Sequence, residues 1–168
     1  ADSNNDNAIS GTLYVATGDA NGNSGDLVLS TGQSVDGKAG SIIFSLGESG
    51  SGEGSDYLIN AGNSTSATGG MVKVTSGSGL ATTSGAIILS TAAAGTKGVS
   101  GNFSIFSGQA TSGNSGAIML STGTGVLHGA GSIHLSVGSG RTGEGGNVKI
   151  SAGTMSSGTG GNVGMVGG

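Results

Sequence analysis

The sequence predicts an all-β fold, namely a single-domain β-solenoid of about eleven fifteen-residue coils with a flattened cross-section. A motif of eight residues recurs eleven times: glycine, any residue, large apolar, any, large apolar, small, any, glycine. Eight of the ten intervals between successive copies have the same fifteen-residue length, and the other two deviate by a single residue. Proline is absent, which suits a backbone whose N–H groups mostly donate to a ladder of hydrogen bonds.

The repeat organises the chain after a short N-terminal segment. Positions are numbered from the first residue of the motif. The eleven copies begin at Gly11, Gly25, Gly40, Ser55, Gly70, Gly85, Gly101, Gly116, Gly131, Gly146 and Gly161. We therefore assign residues 11–168 to solenoid repeats, and residues 1–10 to an N-terminal segment or the return limb of a coil.

Positions 3 and 5 carry large apolar side chains in all eleven copies. Because they lie two residues apart, they face the same side of a strand, and many are β-branched or aromatic, as strands prefer. We expect them to form the core. The predicted core ladder comprises Leu13, Val15, Leu27, Leu29, Ile42, Phe44, Tyr57, Ile59, Val72, Val74, Ile87, Leu89, Phe103, Ile105, Ile118, Leu120, Ile133, Leu135, Val148 and Ile150.

Small residues complete the predicted coil. Positions 1 and 8 are glycine in ten of the eleven copies, which permits tight turns at the strand ends. Positions 10 and 15 are almost always small, so the return limb should pack closely against the strand. Glycine and serine richness alone is typical of flexible linkers. The fixed phases of the apolar residues argue against a linker, as does an apolar content of 33% with a net charge of only −4.

Position 4 lies on the opposite side of the strand and is apolar mainly in the first half of the chain. An apolar stripe on an outer face indicates a lateral contact with a second rod or another partner, although scattered surface apolarity is the simpler explanation. The candidates for lateral contact are Tyr14, Val28, Ile43, Leu58, Ile88 and Met119.

The two ends of the chain are complementary in phase. The last copy stops at position 8, whereas residues 1–10 supply about one return limb. We therefore expect head-to-tail self-association of copies, with Ile9, Val163 and Met165 as end contacts. Such a contact joins unlike ends and does not close into a ring, so it produces a filament. The alternative is that the sequence is an excerpt of a longer repeat protein.

Few residues suggest chemistry. We expect no enzyme, no cofactor and no catalytic or metal-binding set, apart from a calcium site that Asp2 and Asp6 could form near the N-terminus. Five scattered basic residues do not suit nucleic-acid binding, and the short apolar runs cannot span a membrane. Asn63 and Asn102 match the pattern for attached N-glycans, and His128 and His134 are isolated.

The motif Gly-x-Ile-x-Leu-Ser-x-Gly resembles the Gly/Ser-rich repeats of large secreted or cell-surface proteins. This resemblance implies an architectural protein at the cell surface or outside the cell. The period is similar to that of insect antifreeze solenoids, but the Thr-x-Thr array and the disulfides of those proteins are missing. The leading hypothesis is a self-assembling extracellular fibre or surface-layer subunit. The alternatives are an ice-binding solenoid and an adhesive or carbohydrate-binding module.

Overall fold

A computed structural model describes residues 10–167, and the chain divides into two units, Ala1–Ala86 and Ile87–Gly168. Residues 10–167 contain no helix and no strand. The prediction of an all-β solenoid is therefore wrong. Within residues 10–167, the chain instead consists of segments without regular secondary structure, which we call extended segments, joined by bends.

The bends recur with the period of the sequence. Every complete repeat has one bend, and it lies at positions 11–13 or at two of those positions. The bends occupy residues 21–22, 35–37, 50–52, 65–67, 80–82, 96–97, 111–113, 126–128, 141–143 and 156–158. The fifteen-residue period is thus expressed in the backbone as a regular series of loops.

Serine at position 10 supports two of the bends. Ser34 accepts a hydrogen bond from the amide of Gly37 at position 13, with an N–O distance of 3.0 Å. Ser64 accepts the equivalent bond from the amide of Ala67, at 2.9 Å, and a longer one from the amide of Ser66, at 3.4 Å. Such short-range bonds give serine its preference for turns.

Glycines with positive φ lie at position 13, not at the strand ends where the sequence suggested tight turns. Among the described residues they are Gly113, Gly143 and Gly158, with φ of 100°, 95° and 111°. A side chain would be strained at these angles, so glycine is required to complete the bend.

Three of the loops are closed at their base by a backbone hydrogen bond. The amide of Gly70, at position 1, donates to the carbonyl of Gly62, at position 8 of the preceding repeat, with an N–O distance of 2.9 Å. The same bond joins Gly85 to Gly77 and Gly161 to Gly153, also at 2.9 Å. Because each bond spans eight residues, the end of one extended segment meets the beginning of the next.

This closure is incompatible with stacked coils. In a solenoid, position 8 of one coil and position 1 of the next are separated by the length of a strand, which is roughly 23 Å for seven residues. Stacked coils also need hydrogen bonds between residues about fifteen apart. The four backbone hydrogen bonds found in residues 10–167 join residues only three or eight apart.

The entropy of the chain gives the physical reason. A hydrogen bond between coils requires a whole fifteen-residue ring to be ordered, whereas the loop closure orders about half as many residues. Closing the shorter loop is favoured by about 0.6 kcal/mol from loop entropy alone. The chain has 39 glycines, each of which loses more backbone freedom on ordering than any other residue. Both costs weigh against ordering a whole coil and favour the shorter closure.

Candidate interaction surface

Position 7 packs against position 1 of the following repeat at the base of the loops. In eight repeats, a Cβ placed on the position-1 glycine would lie within 4 Å of the preceding position-7 side chain. The pairs are Gly40 with Thr31, Gly70 with Ala61, Gly85 with Ser76, Gly101 with Thr91, Gly116 with Ser107, Gly131 with Thr122, Gly146 with Val137 and Gly161 with Ala152. The half-buried residues of the described chain, Ala61, Ser76 and Ala152, all lie at position 7.

Alternation along the extended segments separates two sides. We call positions 1, 3, 5 and 7 the apolar side, and positions 2, 4 and 6 the polar side. No position of the apolar side carries a charged residue in any of the eleven repeats. The polar side contains Asp26, Asp56, Lys73, His134 and Lys149.

The apolar side is only partly covered in the single chain. At position 3 the side chains are 45–59% exposed, except Leu13, and at position 5 they are 61–73% exposed, except Met165. The apolar residues of position 4 are 75–87% exposed. The apolar side is therefore less exposed than position 4, as the sequence predicts. All twenty residues of the predicted core ladder, from Leu13 to Ile150, are nevertheless exposed. No core of the predicted kind exists within residues 10–167.

One contact shows how the apolar sides of neighbouring segments meet. The rings of Phe44, at position 5, and Tyr57, at position 3 of the next repeat, have their centroids 6.1 Å apart and are tilted by 32°. A solenoid would pair position 3 with position 3 and position 5 with position 5. The observed pair joins unlike positions, as expected where the chain reverses at a loop.

The total exposed area shows how little surface the chain buries by itself. Its accessible surface is 17118 Å². A compact monomer of this mass exposes roughly 7,300 Å², and a fully extended chain roughly 22,600 Å². The apolar surface that a globular protein buries internally thus remains largely available for contact with other molecules.

The candidates for lateral contact are all exposed, from Tyr14 and Val28 to Met119. At the C-terminal end, Val163 is 45% and Met165 is 90% exposed. Ile9, the third predicted end contact, lies outside the described residues. The structure gives no pairing between these end residues.

The isolated polar groups show no arrangement for chemistry. Residues 10–167 contain no cavity and no group of three His, Asp or Glu side chains that could hold a metal ion. His128 lies in the bend 126–128, and His134 lies on an extended segment. Asp2 and Asp6, the suggested calcium ligands, lie outside the described residues. In the same part of the chain, no helix is long and apolar enough to cross a bilayer.

Asn63 and Asn102, the two possible glycan attachment sites, are both exposed. Asn63 directly follows the loop base at Gly62, whereas Asn102 lies at position 2 of an extended segment. Four repeats carry threonine at position 7, and all four side chains are exposed. Thr31 and Thr122 lie against the glycines that begin the following repeats.

Two structural features were not recognised in the sequence. One is the positive-φ glycine of position 13, for which the turn dipeptides Ser112-Gly113 and Ser157-Gly158 are a detectable signal. The other is the closure between position 8 and the next position 1. Its glycines are visible in the sequence, but nothing local indicates that they pair with each other.

Comparisons of the chain with protein-family models, with curated proteins and with solved structures gave no match.

Proposed function

We propose that this chain is a structural protein that works by associating with further copies of itself, at the cell surface or outside the cell. The observation that carries the proposal is the exposure of positions 3 and 5 in every repeat. These side chains are large and apolar, and even the least exposed of them, Val163, is 45% exposed. Transfer of such surface out of water is the main driving force for protein association.

The loops leave this surface available. Contact at the loop bases leaves Ala61, Ser76 and Ala152 at position 7 half-buried, whereas the side chains of positions 3 and 5 stay at least 45% exposed. The chain has only 8% charged residues and a net charge of −4, which provides little repulsion between copies. Self-association therefore supplies the burial that a single chain lacks.

The repetition supports a structural role. Eleven near-identical segments present the same small set of side chains over the length of the chain. A surface of this kind favours many equivalent weak contacts, which add up along an assembly. The resemblance to the Gly/Ser-rich repeats of secreted and cell-surface proteins supports the proposed location.

The mass of the particle as a function of concentration tests the proposal. Sedimentation velocity and light scattering of the purified chain, from about 1 μM to about 1 mM, should show a mass that rises steeply with concentration. Negative-stain electron microscopy of the concentrated sample should show extended assemblies or sheets. A single monomeric species over the whole range would overturn the proposal.

A further inference from the structure

We infer that copies associate through the apolar side, positions 3 and 5 of the extended segments, and that the partner which covers this side is the same side of a second copy. The inference rests on the proposed function, and it identifies the contact surface within it. It differs from the sequence-based expectation that position 4 forms the lateral contact.

Charge separates the two sides. Positions 1, 3, 5 and 7 contain no charged residue in any repeat. Burial of the polar side would remove Lys73, Lys149 and Asp56 from water, and an unpaired charge strongly resists this transfer. Position 4 is apolar in some repeats, but it cannot form an uninterrupted contact over either unit.

The exposed area is large enough for a stable contact. A whole aliphatic side chain contributes roughly 100 Å² of apolar surface. With the exposures given above, the side chains of positions 3 and 5 offer on the order of 600–800 Å² in each of the two units. Specific interfaces bury about 800 Å² per partner. The apolar side of one unit is thus about as large as the surface that a specific interface buries.

A second copy fits this surface better than an unrelated partner. The apolar pairs recur once in each fifteen-residue repeat, separated by loops without large apolar residues at most positions. A partner must therefore present apolar groups with the same interruptions. Another copy of the chain has that spacing by construction, including the irregular intervals after Gly11 and Gly85.

The chain offers matched isoleucines for the experiment. Ile42 and Ile87 lie at position 3 and are 49% and 52% exposed. Their direct neighbours Ile43 and Ile88 lie at position 4 and are 80% and 83% exposed. The double variants Ile42→Asp/Ile87→Asp and Ile43→Asp/Ile88→Asp have the same composition and the same net charge. They differ only in which side carries the carboxylates.

Concentration-dependent sedimentation of the full chain and of both variants tests the inference. The position-3 variant should need a concentration higher by more than about tenfold to associate. The position-4 variant should stay within about threefold of the unmodified chain, because its carboxylates remain in water. Hydrogen exchange at the amide of Gly85, which closes a loop, checks that both variants keep the local structure.

The outcomes separate the two claims. If the unmodified chain associates and the position-4 variant is impaired as much as the position-3 variant, or more, the inference is overturned and the proposed function stands. If the unmodified chain associates and neither variant is impaired, the inference is likewise overturned. If the unmodified chain is monomeric at every concentration, the proposed function itself fails.

Discussion

Replacing Gly79 by alanine should open the loop that Gly77 and Gly85 close. Gly79 lies at position 10, directly before the bend 80–82. A Cβ at this residue would lie 2.6 Å from the carbonyl oxygen of Thr83 and 2.9 Å from that of Thr82. Ordinary van der Waals contact begins at 3.4 Å, so the Thr83 carbonyl must move by most of an ångström. Both obstacles belong to the backbone, and no rotation of a side chain can relieve them.

The magnitudes decide the outcome in favour of opening. Forcing a methyl group into such a space costs about 1–3 kcal/mol. The hydrogen bond from the Gly85 amide to the Gly77 carbonyl, which closes the loop, contributes only about 0.5–1.5 kcal/mol. At the middle of both ranges, the strain exceeds the closure energy. Compared with a glycine-to-alanine variant that has no clash, the ratio of closed to open loop should be lower by about fivefold to about 150-fold.

Nuclear magnetic resonance of the dilute chain measures this ratio. In the unmodified protein, the amide of Gly85 should be protected from exchange, and the α protons of Gly85 should show a nuclear Overhauser effect to the β protons of Ser76. Both signals should weaken in Gly79→Ala. The matched control is Gly77→Ala, two residues earlier, where an added Cβ meets nothing within 4 Å.

The control isolates the steric effect. Each replacement of glycine by alanine removes backbone freedom from the open state and so favours the closed state by about 0.4–1 kcal/mol. This contribution is common to both variants, whereas the clash occurs only at Gly79. Full protection of Gly85 in Gly79→Ala, or an equal loss in Gly77→Ala, would refute the reasoning.

Further predictions concern the bends and the aromatic contact. Gly158→Ala places a side chain at a φ of 111° and should destabilise the closed loop by about 1–3 kcal/mol. The amide of Gly161, which closes this loop, should lose its protection from exchange, whereas the control Gly153→Ala should retain that protection. Ser64→Ala removes the acceptor of two amides, so the temperature coefficients of their proton chemical shifts should become more negative; unchanged coefficients would contradict the turn geometry. Phe44→Ala should remove the ring-current shifts of Tyr57 and, with them, the about 0.5–1.5 kcal/mol by which the two rings stabilise this contact; unaltered tyrosine shifts would show that the rings do not meet.

Much of the local structure could be predicted from the sequence. The strict period predicted a backbone that repeats every fifteen residues, and one bend per repeat is found, although the sequence pointed to turns at the glycines of positions 1 and 8 and not at positions 11–13. The spacing of the residues at positions 3 and 5 implied two unlike sides. Ile42 at 49% and Ile43 at 80% exposure show that difference between adjacent, identical residues. Periodicity and alternation follow from the bonding of neighbouring residues, so a sequence can reveal them.

The connection between segments could not be predicted in this way. Gly62 and Gly70 begin and end a loop whether the segments stack as coils or meet at the loop base. The pattern of glycine, large apolar and small residues suits both arrangements equally. Even the inward orientation of position 7, which the alternation implies, does not distinguish them. The prediction of a buried ladder assumed that the segments stack as coils, and it is wrong for the single chain.

The sequence by itself determined the fifteen-residue repeat and the chemical identity of its two sides, whereas the structure placed the bends at positions 11–13. Only the tertiary structure decided that position 8 bonds to the next position 1, and that positions 3 and 5 stay exposed. The physical reason is that this choice balances bonds between distant residues against the entropy of ordering a glycine-rich chain. The shorter closure wins, and it leaves an uncharged apolar side for which we propose a second copy as the partner.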